Sequence, residues 1–231
     1  MGNRERILAR LRRTSSAARF AVTGGPPSFH SHRSSTLPRG EQNSPDLLLD
    51  RLQSACRGRD FDLYQVDSLV AARLHLATWL KEHDAAFIVG WAPEQAGVPG
   101  LAEMLDELRI HWQTPKEQRN AGDLTDLSTA IGLARADAAL ADRGSLVFRS
   151  GPGRSLREIV QVERLLVLLS FADLFPSWNT WISRWREASI PLATVGLILT
   201  GTGVASGIGS SSTRLPTGIG PSSVHIVLMK V

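Results

Sequence analysis

From Ser44 onward the chain alternates stretches with apolar residues every three or four positions and short runs where they alternate or are continuous. The first periods read as helices and the second as strands. Ser44-Pro45-Asp46 supplies a cap residue, a proline at the first helical position and an early acid, predicting a helix through Leu48, Leu49 and Leu52 that stops near Gly58. Phe61 to Val66 alternates as a strand does, and Asp67-Ser68 caps a helix carrying Leu69, Val70, Leu74, Ala77 and Leu80. Ala86 to Trp91 is continuously apolar, as suits a strand covered on both faces. Pro99 to Leu108 reads as a helix with Leu101, Met104, Leu105 and Leu108 on one side, followed by a short strand, Ile110 to Gln113.

Further strands are predicted at Ile131 to Leu133, Leu146 to Phe148, Leu165 to Leu169, Thr194 to Thr200 and Val224 to Met229. Between them, Phe171 to Trp185 reads as a helix whose Trp178, Trp181 and Trp185 form an aromatic face, belonging to the core or to an interface. This alternation predicts a single α/β domain over 44–231, with a largely parallel sheet covered by helices.

Residues 1–43 follow another pattern. Arg4 to Arg13 forms a basic helix with Ile7, Leu8 and Leu11 on one stripe, and residues 14–43 are rich in Ser, Pro, Gly and Arg, predicting a flexible linker. The helix can dock on the domain or on a partner; an anionic membrane or nucleic acid is the alternative. Residues 1–40 hold eight arginines against Glu5, a net of +7 in a chain of net +4, so the remainder sums to −3. The expected domain is therefore not a general nucleic-acid-binding surface. Salt-dependent nucleic-acid binding through the tail stays as a third functional class. His30 and His32 lack a third ligand nearby, so no metal site is expected.

The basic start is not followed by a secretory apolar core, although its Arg- and Ser-rich composition also suits an organellar transit peptide. The run from Ile190 to Ala205 is broken by Pro191, Gly196, Gly201 and Gly203 and is too short for a membrane helix. A soluble, cytoplasmic protein without membrane insertion is the expectation. Cys56 is the single cysteine, so the chain cannot supply the several thiolates of an iron–sulfur cluster, and no cofactor of its own is expected.

Candidate chemistry concentrates in Ser128 to Arg154. Asp137, Asp142, Arg143 and Gly144 lie between two apolar runs, where a turn would reverse the chain, and Gly151-Pro152-Gly153-Arg154 follows the second run. A glycine loop beside an arginine can hold a phosphate or carboxylate, or be a bare turn. The two aspartates can divide acid and base roles in a pocket, or stabilise the turn through backbone hydrogen bonds. Gly201-Thr202-Gly203 follows a strand without the third glycine of a dinucleotide fingerprint.

Gly132, Ala136, Asp137, Ala139, Leu140, Ala141, Asp142, Gly144, Ser145, Leu146 and Val147, with Ser150 to Arg154 after them, resemble the pattern of the lactate-utilisation protein C family, whose unit is the LUD domain. The resemblance extends more loosely over most of the chain. It implies an α/β domain similar to sugar-phosphate isomerases and coenzyme A transferases, and a part in oxidising L-lactate to pyruvate beside iron–sulfur partner proteins. It brings no catalytic assignment, and whether the chain is an enzyme is left open.

On these grounds Asp137, Asp142, Gly144, Ser145, Gly151, Gly153, Arg154, Thr200 and Gly201 are the candidate ligand-binding residues, for a small anionic metabolite. The expected function is a subunit or accessory of a lactate-oxidising iron–sulfur system. The alternative is a stand-alone enzyme or binder of a phosphorylated or coenzyme A-linked metabolite. The family's histidine after the glycine loop is absent at Ser155 to Val160, and its late acidic stretch is replaced by glycine and serine from Thr202 to Gly220, with Arg214 as the one charge. That stretch is expected to be an irregular, mobile loop with weakened ligand function, since it buries too little to offset its ordering entropy; an anion-binding glycine loop is the competing reading.

Overall fold

The structure is a computed structural model that describes residues 44–114, 130–156, 160–187, 196–201, 204–208 and 220–230. The tail and linker, His30, His32 and residues 209–219 lie outside the described residues. Helices are α1 (Pro45–Arg57), α2 (Leu69–Glu82), α3 (Leu101–Glu107) and α4 (Trp178–Glu187). Strands run in chain order as β1 (Phe61–Val66), β2 (Phe87–Gly90), β3 (His111–Gln113), β4 (Ile131–Arg135), β5 (Ala138–Leu140), β6 (Ser145–Arg149), β7 (Arg164–Ser170), β8 (Leu174–Phe175), β9 (Gly196–Gly201), β10 (Val204–Ile208) and β11 (Ser223–Met229).

The main sheet has six strands in the order β1-β11-β7-β4-β2-β3, all parallel. Its central strands are apolar on both faces. On β7, Leu165, Val167 and Leu169 pack toward α1 and the second sheet, whereas Leu166 and Leu168 pack toward α2 and α3. Because side chains alternate faces, one continuous apolar run serves two cores at once. Helix α1 starts as its cap predicts, with Ser44 Oγ accepting from Leu47 N at 3.4 Å, and buries Leu48, Leu49, Leu52 and Cys56. Helix α2 buries Ala72, Leu76, Trp79 and Leu80, a one-face repeat that leaves Val70 and Leu74 exposed.

The expected α/β class and parallel sheet are present, and the structure adds a second sheet. It contains β10-β9-β6-β5-β8, antiparallel apart from the β5–β8 pair. Three expectations change with it. The apolar runs on β4 and β6 do not form a hairpin: β4 pairs with β2 and β7, and the hairpin partner of β6 is β5. The strand expected at 194–200 joins the second sheet as β9 instead of the main one. The stretch from Phe171 is not one helix, because a 3₁₀ turn (Phe171–Asp173) and β8 precede α4. Pro176 follows β8, so the helix begins only beyond it.

The irregular loop expected over Thr202 to Gly220 is tested only at its start, because residues 202–203 and 209–219 lie outside the described residues. Its residues 204–208 form β10, paired antiparallel with β9. The ladder pairs backbone groups of this segment that would otherwise need other partners. The tryptophan face of α4 packs on the outer side of the second sheet, with Trp181 buried against Ala138, Leu140, Val147 and Phe175. Among the described residues no helix is long and apolar enough to cross a membrane.

Candidate functional site

In the main sheet, the chain leaves β2 toward β3 on one side and leaves β4 toward β7 on the other. Adjacent parallel strands whose onward connections diverge leave a crevice beyond their carboxyl ends, the usual ligand position in open α/β sheets. A cavity of about 440 Å³ lies there, lined by Glu94, Gln95, Arg135, Ala136, Asp137, Arg149, Arg154 and Asp173. These residues come from the ends of β2, β4, β6 and β7 and from the glycine loop.

Asp137 is the centre of this arrangement. Its Oδ2 accepts from the Arg149 backbone N at 2.7 Å, and its Oδ1 accepts from Arg149 Nη2 at 2.9 Å. Arg154 grips the same carboxylate in bidentate fashion, Nη1 to Oδ1 at 3.1 Å and Nη2 to Oδ2 at 2.8 Å. The carboxylate is 7% exposed, while the Arg149 and Arg154 side chains retain 27% and 23%. Two guanidiniums thus share one carboxylate, and the cavity lining as a whole sets Arg135, Arg149 and Arg154 against Glu94, Asp137 and Asp173. Charge-assisted bidentate pairs of this kind fix geometry as well as contributing energy.

Arg154 is held from its other side by an aromatic ring. Its guanidinium carbon sits 4.0 Å from the centroid of Trp91, and Trp91 Nε1 donates to Ser155 O at 2.7 Å. Trp91 directly follows β2, so the parallel sheet itself positions this stack. The glycine loop closes through Gly151 N to Arg154 O at 3.1 Å and Arg154 N to Gly151 O at 2.9 Å. Gly153 adopts φ +72°, and Gln95 Nε2 donates to Pro152 O at 3.0 Å, tying the loop to the segment after β2. Across the cavity Arg135 pairs with Asp173, Nη2 to Oδ2 at 3.3 Å, and both are partly exposed.

The sequence-predicted site residues fall into two groups. Asp137, Gly151, Gly153 and Arg154 are together at or beside this cavity. Asp142, Gly144, Ser145 and Thr200 are elsewhere, around Arg59 and the end of α1. Arg59 Nη1 donates to Thr200 O, and its charge acts on Asp142. Gly144 has φ +59°, and a Cβ there would stand 2.9 Å from Ala55 Cβ. Ser145 is buried, and Gly201 ends β9. Burial raises the Asp142 carboxyl above its ordinary range, with Arg143, the turn's backbone N–H groups and Arg59 acting in the opposite direction.

Asp137 and Asp142 occupy opposite ends of β5, about 13–16 Å apart at ~3.3 Å per extended residue. They therefore do not form a two-carboxylate acid/base site. Asp142 instead serves the turn: its N donates to Pro176 O at 3.1 Å, and Arg143 N donates to Leu140 O at 3.2 Å. Arg135, Arg149, Trp91, Gln95 and Asp173 were not singled out from sequence. Arg149 and Arg135 end strands within or beside the motif, a position that marks strand-end chemistry in parallel sheets. No group of three or more metal-ligating side chains occurs among the described residues.

No family model and no curated protein matches the chain. Among solved structures it is similar to a DUF162 family protein from Deinococcus radiodurans, with a TM-score of 0.51 and 12% identity over 81% of this chain and 99% of that one. At this identity the likeness concerns the fold alone.

Proposed function

We propose that this chain is a ligand-binding component, without a redox centre of its own, of a cytoplasmic lactate-oxidising system whose iron–sulfur clusters are carried by partner proteins. The observation that carries the binding half is the Arg149–Asp137–Arg154 cluster at the divergence between β2 and β4, where two guanidiniums share a single carboxylate beside a 440 Å³ cavity. A volume in this range suits a small molecule, and arginine favours a planar carboxylate or a phosphate. The lactate context rests on the resemblance of residues 128–154 to the lactate-utilisation protein C pattern. The single cysteine fits the assignment of clusters to partners: Cys56 is buried, with its thiol pushed up to about 12, and one thiol cannot supply the several thiolates a cluster needs.

The test is calorimetric titration of the purified full chain with L-lactate, pyruvate, inorganic phosphate and coenzyme A. Binding of a carboxylate ligand, weakened at least about tenfold by Arg149→Gln, is the expected result, tenfold being ~1.4 kcal/mol of lost interaction. Absence of binding by all four would overturn the reading. The same arginines accept phosphate, which favours as second reading a stand-alone binder or enzyme of a phosphorylated or coenzyme A-linked metabolite. Phosphate or coenzyme A binding without lactate binding selects it, and turnover by the isolated chain would make it an enzyme.

A further inference from the structure

At the opposite, amino-terminal edge of the main sheet, three ionisable side chains form a continuous hydrogen-bonded line. His225 of β11 and Asp62 of β1 are direct register partners, and His225 Nδ1 lies 2.5 Å from Asp62 Oδ2. His225 Nε2 lies 2.8 Å from Nε2 of His75 on α2. The His75 ring is stacked flat on Tyr64, with centroids 3.7 Å apart and planes within 2°. Trp79 flanks His225 at 5.1 Å and His83 at 4.0 Å. His225 is buried, whereas Asp62 and part of His75 reach solvent.

Proton positions follow from the partners. An ionised carboxylate only accepts, so His225 carries its proton on Nδ1, and the neutral ring then presents a bare Nε2. That Nε2 accepts from His75 Nε2–H, which leaves the His75 Nδ1 lone pair free. One added proton can settle on His75 Nδ1 and keep every bond. A second would go to His225 Nε2, set two N–H donors against each other, and place two cations in contact. We propose that Asp62, His225 and His75 form an acid-operated latch that holds α2 against the β1–β11 edge, closed while at most one imidazole is charged and released when both are.

The surroundings favour the closed form near neutrality. Burial lowers the proton affinity of His75, with His225 adding to it and Asp62 and Glu82 opposing. Burial likewise lowers that of His225, against the hydrogen bond and charge of Asp62, with His83 reinforcing it. Besides these, Tyr64 faces the pair from β1, and across from His225 in the sheet β7 contributes only Leu166. Both folded values lie below the unfolded one, so the contribution is complete above the unfolded histidine range of about 6.5 and is lost as pH falls below it.

The full chain provides two tests. Long-range nitrogen–proton NMR near pH 7.5, where imidazoles are mostly neutral, should find unlike tautomers, Nδ1–H on His225 and Nε2–H on His75; like tautomers would overturn the proposal. Hydrogen exchange, corrected for intrinsic rates, should show α2 protection falling at least about tenfold more than α1 protection between about pH 7.5 and about pH 5. His75→Phe keeps the stack on Tyr64 but removes the nitrogen, and should abolish that excess. Equal responses of α1 and α2 in the unaltered chain would refute the latch, as would an excess that survives in His75→Phe. The comparison of helices within one molecule stands even if the variant does not fold.

Discussion

Replacing Asp137 by asparagine isolates the element on which the cavity depends. The side chain keeps its shape but loses its charge, and its amide N–H₂ must face donors where an acceptor stood. Asp137 accepts one backbone and three guanidinium hydrogen bonds at 2.7 to 3.1 Å. Removing one partner of a fully buried ion pair costs ~3–5 kcal/mol, because the other charge is left unpaired. Arg149 and Arg154 retain about a quarter of their side-chain exposure, so water recovers part of that loss and ~2–3 kcal/mol is expected. Urea unfolding followed by tryptophan fluorescence would report this as a lower midpoint at unchanged slope. A second reading comes from inorganic phosphate, which should restore the variant more than it stabilises the unaltered chain, since two freed guanidiniums then bind the anion in the folded state only. A loss under ~1 kcal/mol, the worth of an exposed pair, would refute the view of Asp137 as a buried counter-ion.

Other changes probe the frame around the site. Gly90→Ala would bring a Cβ to 2.4 Å from Leu133 O on the neighbouring strand, where backbone cannot yield, and should cost ~3 kcal/mol or more in the same unfolding assay. Gly144→Ala must adopt φ +59° against Ala55, costing ~1–3 kcal/mol, with shifts in α1 resonances as the structural signature. Asp142→Asn should be within ~0.5 kcal/mol of the unaltered chain at neutral pH or slightly more stable, because burial already disfavours its charged form. That direction follows from linkage: a raised carboxyl affinity stabilises below the unfolded value and is lost as pH rises. Cys56 should react with a disulfide reagent only as fast as the fold opens, and rapid labelling of the native chain would contradict its burial.

How far the sequence disclosed the fold depends on how each strand is buried. β2, β7 and β11 are covered on both faces, so they appear as largely apolar runs, broken in β11 only by His225, and were legible. β5 and β8 have three and two residues, too few to show a period, and β10 is Val-Ala-Ser-Gly-Ile, whose composition favours a loop. These strands exist because partners supply hydrogen bonds, and pairing between distant segments leaves no local trace. The same contrast governs the site. Asp137 and Arg154 belong to one continuous motif and were legible, whereas Trp91, Gln95 and Asp173 arrive from other strand ends and are assembled only by the order of the sheet.

The position of β5 decides how the central motif works. Asp137 sits where β4 leaves the main sheet, and three residues of β5 then carry the chain into the second sheet before Asp142 begins the turn. Asp137 N donates to Val147 O at 2.8 Å, and Ala136 N donates to Leu168 O at 2.9 Å, so the peptide units at this junction are bonded to both sheets. The carboxylate of Asp137 is thereby fixed on the backbone that joins the two sheets, and Arg149, which ends β6, reaches it because β6 is the partner of β5. Arg154 follows after only the Gly151–Arg154 bridge, a loop short enough to return a guanidinium to the strand end it has just left. A pair of arginines on one carboxylate is thus a direct consequence of one hairpin and one glycine turn attached to a parallel strand. Altering the β5–β6 register by one residue would turn Arg149 to the other face of its sheet and leave Arg154 alone on Asp137.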